Sequence, residues 1–136
     1  MTRLGQFGIL SIVLGAVALL LGLFPYVADL DNTPGVGASQ IIVLLASLFL
    51  LVLGGYTVIY AVLQANHPRT LLRDVATRLG MTGLVIAFAS VLADVMGFGS
   101  HGAGTQIGAV QAGGMLVGFG IAALGVMVYG LSASRR

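Results

Sequence analysis

Charged residues divide the chain into long apolar segments. Runs without a charged residue extend over 6–28, 32–68 and 95–134, and a membrane-spanning helix needs about 20 mainly apolar residues. The pattern predicts four transmembrane helices, over residues 5–28, 38–64, 80–98 and 106–131. The expected fold is therefore an all-α, polytopic membrane protein in which residues 1–136 form a single four-helix domain.

Composition supports the membrane prediction. The chain of 136 residues is 58% hydrophobic and 7% charged, with a mean hydropathy of +1.08, and so few charges do not cover the surface of a soluble domain. Cysteine is absent, which removes disulfides, thiolate chemistry and iron–sulfur ligation. The net charge of +2 comes from six arginines that form no long cluster, so no nucleic-acid partner is expected.

The arginines lie at the helix ends that should share one side of the membrane. Arg3 precedes the first predicted helix, and the others lie in the middle loop or after the fourth helix, as Arg69, Arg73, Arg78, Arg135 and Arg136. The opposite side carries Asp29 and Asp31 and no basic residue. Because cytoplasmic loops carry an excess of Arg and Lys, both termini are predicted to be cytoplasmic, with the protein in the plasma (inner) membrane.

The middle loop has the pattern of a short amphipathic helix over residues 66–78. One helical face is apolar, with Leu71, Leu72, Val75 and Leu79. The other face is largely charged, with Arg69, Arg73 and Asp74. Such a helix is typical of the membrane interface, and docking of a protein partner is the alternative interpretation.

The two halves of the chain resemble each other. "TRLGQFGIL" begins at Thr2 and "TRLGMTGLV" at Thr77, so that the first and third predicted helices open alike. "GASQ" at 37–40 aligns with "GAVQ" at 108–111, and Gly54 aligns with Gly125. The pattern predicts two tandem hairpins, 2–63 and 77–133, related as a parallel repeat by an axis along the membrane normal. The alternative is that small residues recur in any membrane helix.

Small residues recur at intervals of three, four or seven along the predicted helices. Helices in lipid associate through close packing, which small side chains permit. The predicted packing residues are Gly8, Gly15, Gly22, Gly83, Ser90, Gly97, Gly114, Gly118 and Ala122. Because the fourth helix is the richest in glycine, it is expected to be the central one.

A single acid, Asp94, lies within the third predicted helix, about four residues or roughly 6 Å from its outer end. Gln111 enters the fourth helix at a similar depth and is predicted to donate a hydrogen bond to Asp94. His101, in the connecting loop, is placed to approach from the water side. A structural hydrogen bond is the preferred interpretation, and a proton or cation site is the alternative, since intramembrane acids often mark ion paths.

No catalytic, metal or cofactor site is expected. His67 and His101 lie in loops on opposite sides of the predicted membrane, and no predicted helix carries the histidine that a haem requires. The sequence therefore predicts a non-catalytic membrane subunit or scaffold, packed in the lipid bilayer against other membrane subunits or copies of itself. The alternatives are a small proton- or cation-coupled transporter or channel that uses Asp94, and a binder of an apolar lipid- or quinone-like ligand.

Overall fold

A computed structural model describes residues 3–24, 26, 37–65, 68, 70–94, 96 and 108–134. The described part contains four α-helices, which are α1 (Arg3–Leu23), α2 (Ala38–Ile59), α3 (Leu71–Ala93) and α4 (Ala109–Ser134). A π-helical turn, Tyr60–Gln64, continues α2. The predictions of an all-helical chain and of four helices long and apolar enough to cross a membrane are confirmed.

The helices match the thickness of a bilayer, and their outer surfaces are apolar. α1 has 21 residues and α4 has 26, which at about 1.5 Å per residue gives roughly 32 and 39 Å. The hydrocarbon core of a bilayer is about 30 Å thick. Large apolar side chains cover the outside of the bundle, and four that are more than half exposed are Phe7, Leu10, Val85 and Leu116. Contiguous apolar surface of this kind is typical of membrane contact.

α1 ends earlier than predicted. Its last helical residue is Leu23, followed by a hydrogen bond of 2.9 Å from the Phe24 N–H to the Leu20 carbonyl. The next residue in the sequence is Pro25. The residue before a proline is disfavoured in helical conformation, and this restriction explains why α1 ends at Leu23.

α3 begins earlier than predicted. It is continuous from Leu71 to Ala93, so the segment predicted as a separate helix over 66–78 forms, from Leu71 onwards, the first two turns of α3. No break occurs at Gly80, because this residue packs closely against α4, where a Cβ added to Gly125 would meet the Gly80 backbone nitrogen. In these first turns the predicted apolar face lies on the outside of the bundle, with Leu71 and Val75 at 88% and 57% exposure.

The helices pack as two hairpins, α1 with α2 and α3 with α4. α2 connects the hairpins, since it also contacts α3 and α4. The buried core surrounds α2 and consists mainly of Ile41, Leu44, Leu45, Leu48, Val52, Leu84, Ala87, Val91, Met115 and Ala122. The expectation that the fourth helix is central is therefore wrong. The glycines of α4 let it approach α3 closely. The larger leucine side chains of α2 pack in the core that the two hairpins share.

Candidate functional site

The first hairpin is closed by two glycines that face each other, Gly8 in the first third of α1 and Gly54 in the last third of α2. A Cβ added to Gly54 would lie 2.8 Å from the Gly8 carbonyl oxygen and 2.9 Å from the Ile12 nitrogen. A Cβ added to Gly8 would lie 2.9 Å from the Val58 nitrogen. Real Cβ atoms essentially never come within 3.0 Å of another atom in this way. Glycine at both positions is therefore what allows the two backbones to approach.

The second hairpin repeats this arrangement with a closer contact. A Cβ added to Gly118 would lie 2.6 Å from the Gly83 carbonyl oxygen and 2.6 Å from the Ala87 nitrogen. A Cβ added to Gly83 would lie 2.8 Å from the Cα of Ala122. By their contacts, Gly83, Ala87, Gly118 and Ala122 correspond to Gly8, Ile12, Gly54 and Val58 of the first hairpin.

This correspondence differs from the sequence alignment for one pair of helices. For α1 and α3, the contacts and the alignment both pair Gly8 with Gly83. For α2 and α4, the contacts pair Gly54 with Gly118, whereas the alignment pairs Gly54 with Gly125. The difference from 118 to 125 is seven residues, about two helical turns. Small residues repeated at this interval place similar patterns on one face in either register, so the sequence does not distinguish them.

The other predicted packing residues also lie between paired helices. Gly15 and Gly22 of α1 face Leu51 and Leu44 of α2, where added Cβ atoms would lie 2.9 and 2.7 Å from the leucine side chains. In the second hairpin, a Cβ added to Gly114 would meet the side chain of Ser90. Gly97 lies outside the described residues.

Asp94 caps the N terminus of α4. One carboxylate oxygen, Oδ1, accepts a hydrogen bond of 3.3 Å from the Gly108 N–H. Gly108 directly precedes α4, and its carbonyl accepts a hydrogen bond of 2.9 Å from the Ala112 N–H. N–H groups at a helix start have no acceptor within their own helix and carry partial positive charge. The carboxylate therefore ties the end of α3 to the start of α4.

The predicted hydrogen bond between Asp94 and Gln111 is not present in the structure. Gln111 is 8% exposed, and its Oε1 has no hydrogen-bond partner in the described part of the chain. Asp94 lies at the C-cap of α3 and binds the Gly108 N–H at the start of α4, whereas Gln111 lies almost one turn further along that helix. His101, the third member of the predicted site, lies outside the described residues.

Several serine and threonine hydroxyls donate to carbonyl oxygens of their own helix. Ser47, which is fully buried, donates a hydrogen bond of 2.7 Å to the Leu44 carbonyl. The same local pattern, with distances of 2.8–2.9 Å, holds for Ser11, Thr57 and Ser90. Among the described residues, no group of three His, Cys, Asp or Glu side chains is placed to hold a metal ion.

At the opposite end of the bundle, Arg73 lies among tyrosine rings. Its Nε donates a hydrogen bond of 3.1 Å to the Tyr129 hydroxyl, and its Cζ lies 5.1 and 5.5 Å from the ring centres of Tyr60 and Tyr129. Tyr56 packs edge-on against Tyr129, with ring centres 4.8 Å apart, and donates a hydrogen bond of 2.8 Å to the Ala76 carbonyl. Arg73, Tyr56, Tyr60 and Tyr129 are called the arginine–tyrosine cluster below.

Sequence reasoning did not predict this cluster. In the sequence, each of these residues has its own explanation, because tyrosines are enriched at membrane interfaces and arginines such as Arg73 are enriched in cytoplasmic loops. Nothing in the pattern required them to contact one another. The sequence did contain one indication of the cluster, since the predicted helices place Tyr56, Tyr60 and Tyr129 toward the same side of the membrane as Arg73. Their convergence depends on the packing of three helices, which the sequence pattern does not specify.

Two apolar grooves open on the outside of the bundle. One, the hairpin groove, has a volume of about 500 Å³ and separates α4 from the first hairpin, with lining residues that include Leu19, Leu48, Leu51, Phe119, Gly120 and Met127. The other, the tyrosine groove, has a volume of about 280 Å³ and adjoins the arginine–tyrosine cluster. Both are suited to apolar groups of a lipid or of another helix.

Comparison with models of protein families, with curated proteins and with solved structures finds no match to this chain.

Proposed function

We propose that the chain is a non-catalytic integral membrane subunit, which assembles with other membrane subunits or copies of itself through the outer face of α4. The observation that carries this proposal is the open space beside Gly113 and Gly120, where an added Cβ would meet no atom within 4 Å. These glycines lie seven residues apart and therefore on one helical face. A glycine inside a helix costs about 1 kcal/mol relative to alanine, and no contact within the described chain offsets that cost.

A partner helix would give these glycines a function, because small residues let two membrane helices approach closely. Their face also carries exposed apolar side chains, with Val117 and Leu124 at 57% and 55% exposure. Gly120 lines the edge of the hairpin groove, so a helix packed on this face would also cover part of that groove. We call Gly113, Val117, Gly120 and Leu124 the α4 outer face.

The surroundings of the polar groups support a structural role over an ion path. Asp94 accepts a backbone hydrogen bond at the start of α4. In the described helices, the hydroxyls of Ser11, Ser47 and Ser90 bind carbonyls of their own helix. Substrate sites in repeat transporters usually lie near the membrane midplane at the repeat interface, whereas Asp94 lies at the end of α3.

In this proposal the chain is inserted as two repeated hairpins with the same orientation and with both termini in the cytoplasm. The matching contacts of Gly8 with Gly54 and of Gly83 with Gly118 support the repeat. Arg3 at the start of α1 and Arg73 near the start of α3 support the orientation, because basic residues are enriched on the cytoplasmic side.

Native mass spectrometry of the full chain, purified from membranes in a mild detergent, tests the assembly. The wild type is expected in complexes heavier than the 13.9 kDa chain. Gly120→Leu is expected to shift the chain to the monomer without unfolding it, because the site has open space. Ala89→Leu is the matched control, since Ala89 is exposed on α3, away from the α4 outer face.

Two results would contradict the proposal. One is a wild type that is monomeric both in mild detergent and in nanodiscs of native lipid. The other is a complex that Gly120→Leu and Ala89→Leu leave equally intact.

A further inference from the structure

We infer that the arginine–tyrosine cluster binds the phosphate of an anionic phospholipid, whose acyl chain occupies the tyrosine groove. The inference rests on the proposed membrane insertion but not on the proposed assembly. Arg73 lies in the first turn of α3, and Tyr60 begins the π-helical turn that follows α2. In a chain that spans the membrane, these ends lie near the headgroup layer. Basic pockets between membrane helices are suited to anionic headgroups.

The geometry of Arg73 supplies the phosphate donors. Its Nε is engaged by Tyr129, while the N–H groups of both terminal nitrogens make no hydrogen bond in the described part of the chain. The guanidinium is held against the rings of Tyr60 and Tyr129, so its orientation is set before a ligand binds. A guanidinium matches a phosphate group through parallel N–H···O hydrogen bonds, which are stronger than neutral ones.

A polar recess provides room for the phosphate. It has a volume of about 300 Å³ and is lined by Tyr60, Arg73, Asp74, Thr77 and Tyr129. The carboxylate of Asp74 is paired with Arg78, with 3.4 Å between Oδ2 and Nη2, and both side chains are more than half exposed. Arg78 therefore offsets part of the negative charge of Asp74, and solvent screens it, so that Arg73 supplies the positive charge among the residues that line the recess.

The adjoining tyrosine groove favours a lipid over a free phosphate ion. The groove and the recess share Tyr60, Thr77 and Tyr129, so they form one continuous surface that is polar at one end and apolar along its length. The apolar part includes Leu4, Phe49, Leu53, Met81 and Leu84. A free phosphate would contact only the recess, whereas a phospholipid matches both parts.

Native mass spectrometry with added lipid tests this inference on the full chain in detergent. The wild type is expected to bind dioleoyl phosphatidylglycerol more tightly than dioleoyl phosphatidylcholine. Because hydrogen bonds to a charged group are stronger than neutral ones, Arg73→Ala should weaken phosphatidylglycerol binding by about tenfold or more. Arg73→Lys keeps the charge but loses the planar fork, and it should also bind more weakly than the wild type. Arg3→Ala is the matched control, since it removes the same charge from an arginine that lines neither the recess nor the groove, and it should bind like the wild type.

Four results would overturn the inference. They are equal binding of the two lipids by the wild type, undiminished phosphatidylglycerol binding by Arg73→Lys, equal losses for Arg73→Ala and Arg3→Ala, and displacement of the lipid by an equal concentration of inorganic phosphate. The last would assign the site to a free anion. The wild-type comparison and Arg73→Lys decide the question if Arg73→Ala does not fold. None of these results depends on the oligomeric state, so they leave the proposed assembly to be tested separately.

Discussion

Replacing Gly118 by alanine adds one methyl group where the backbones of α3 and α4 pack closely. The added Cβ would lie 2.6 Å from both the Gly83 oxygen and the Ala87 nitrogen, whereas ordinary van der Waals contacts of a Cβ begin at 3.4 Å. The two distances differ by about 0.8 Å, and both neighbours are backbone atoms that no rotamer change can move. The helices must therefore separate along this seam.

The cost follows from the contacts that separation weakens. A gap of about 0.5–1 Å forfeits roughly a quarter to a half of the dispersion energy of each affected atom pair, and overpacking in well-packed cores costs about 1–3 kcal/mol. Alanine also recovers the helix propensity that glycine lacks, about 1 kcal/mol. Gly113→Ala on the same helix makes that gain without a clash inside the chain, since an added Cβ there has no neighbour within 4 Å. The difference between the two variants isolates the packing cost.

Unfolding by sodium dodecyl sulfate in mixed micelles, followed by tyrosine fluorescence, measures this difference. The chain has no tryptophan, and the contact between Tyr56 and Tyr129 reports the packing of α2 against α4. Gly118→Ala is expected to have an unfolding free energy about 1–3 kcal/mol below that of Gly113→Ala. Gly54→Ala should lose less, because its added Cβ has longer distances of 2.8 and 2.9 Å to backbone atoms. Equal unfolding free energies for Gly118→Ala and Gly113→Ala would refute the reasoning.

Three further predictions concern the polar groups and the topology. Asp94→Asn keeps an acceptor for the Gly108 N–H and should have the unfolding free energy of the wild type. Asp94→Leu should lower the unfolding free energy by about 0.5–1.5 kcal/mol. If Asp94→Asn folds but abolishes a proton- or cation-dependent flux in vesicles, Asp94 is an ion site instead. Tyr56→Phe should lower the unfolding free energy by a similar amount, because it removes the hydrogen bond to the Ala76 carbonyl. Tyr26→Phe, at an 84% exposed position, should leave the unfolding free energy unchanged. Equal effects of the two substitutions would show that the Tyr56 hydrogen bond does not stabilise the fold. A cysteine introduced at Thr70 should react with a membrane-impermeant reagent only after cells are permeabilised, and labelling in intact cells would overturn the topology.

The four long helices were predictable because a bilayer requires helical segments of this length and composition, whereas the separate short helix over 66–78 was not found, since Leu71–Ala93 is one continuous helix. Their ends were less predictable. The apolar run predicted that α1 extends past Pro25, but the helix ends at Leu23. The third helix was predicted to begin at Gly80, but α3 begins at Leu71. Glycine weakens an isolated helix, but at Gly80 the close approach of α4 uses the missing side chain.

The candidate sites were predicted only in part, for two physical reasons. Side-chain patterns predicted that Asp94 accepts a hydrogen bond, with Gln111 as the donor. The donor is instead the Gly108 N–H. Free backbone N–H groups exist at every helix start, so the sequence does not indicate which one a carboxylate binds. Contacts between distant segments depend on helix register, and small residues at intervals of seven do not specify one. The arginine–tyrosine cluster required residues 60, 73 and 129 to meet, which follows only from the packed helices.

Photo-crosslinking in the native membrane tests the proposed assembly most directly. A photoreactive amino acid at Val117, on the α4 outer face, is compared with one at Val85 on α3; these positions are 57% and 66% exposed. Crosslinking from Val117 is expected to join the chain to a second protein, either another copy or a different membrane subunit, while Val85 yields no protein adduct. Absence of a protein adduct from Val117, or equal adducts from the two positions, would contradict assembly through this face.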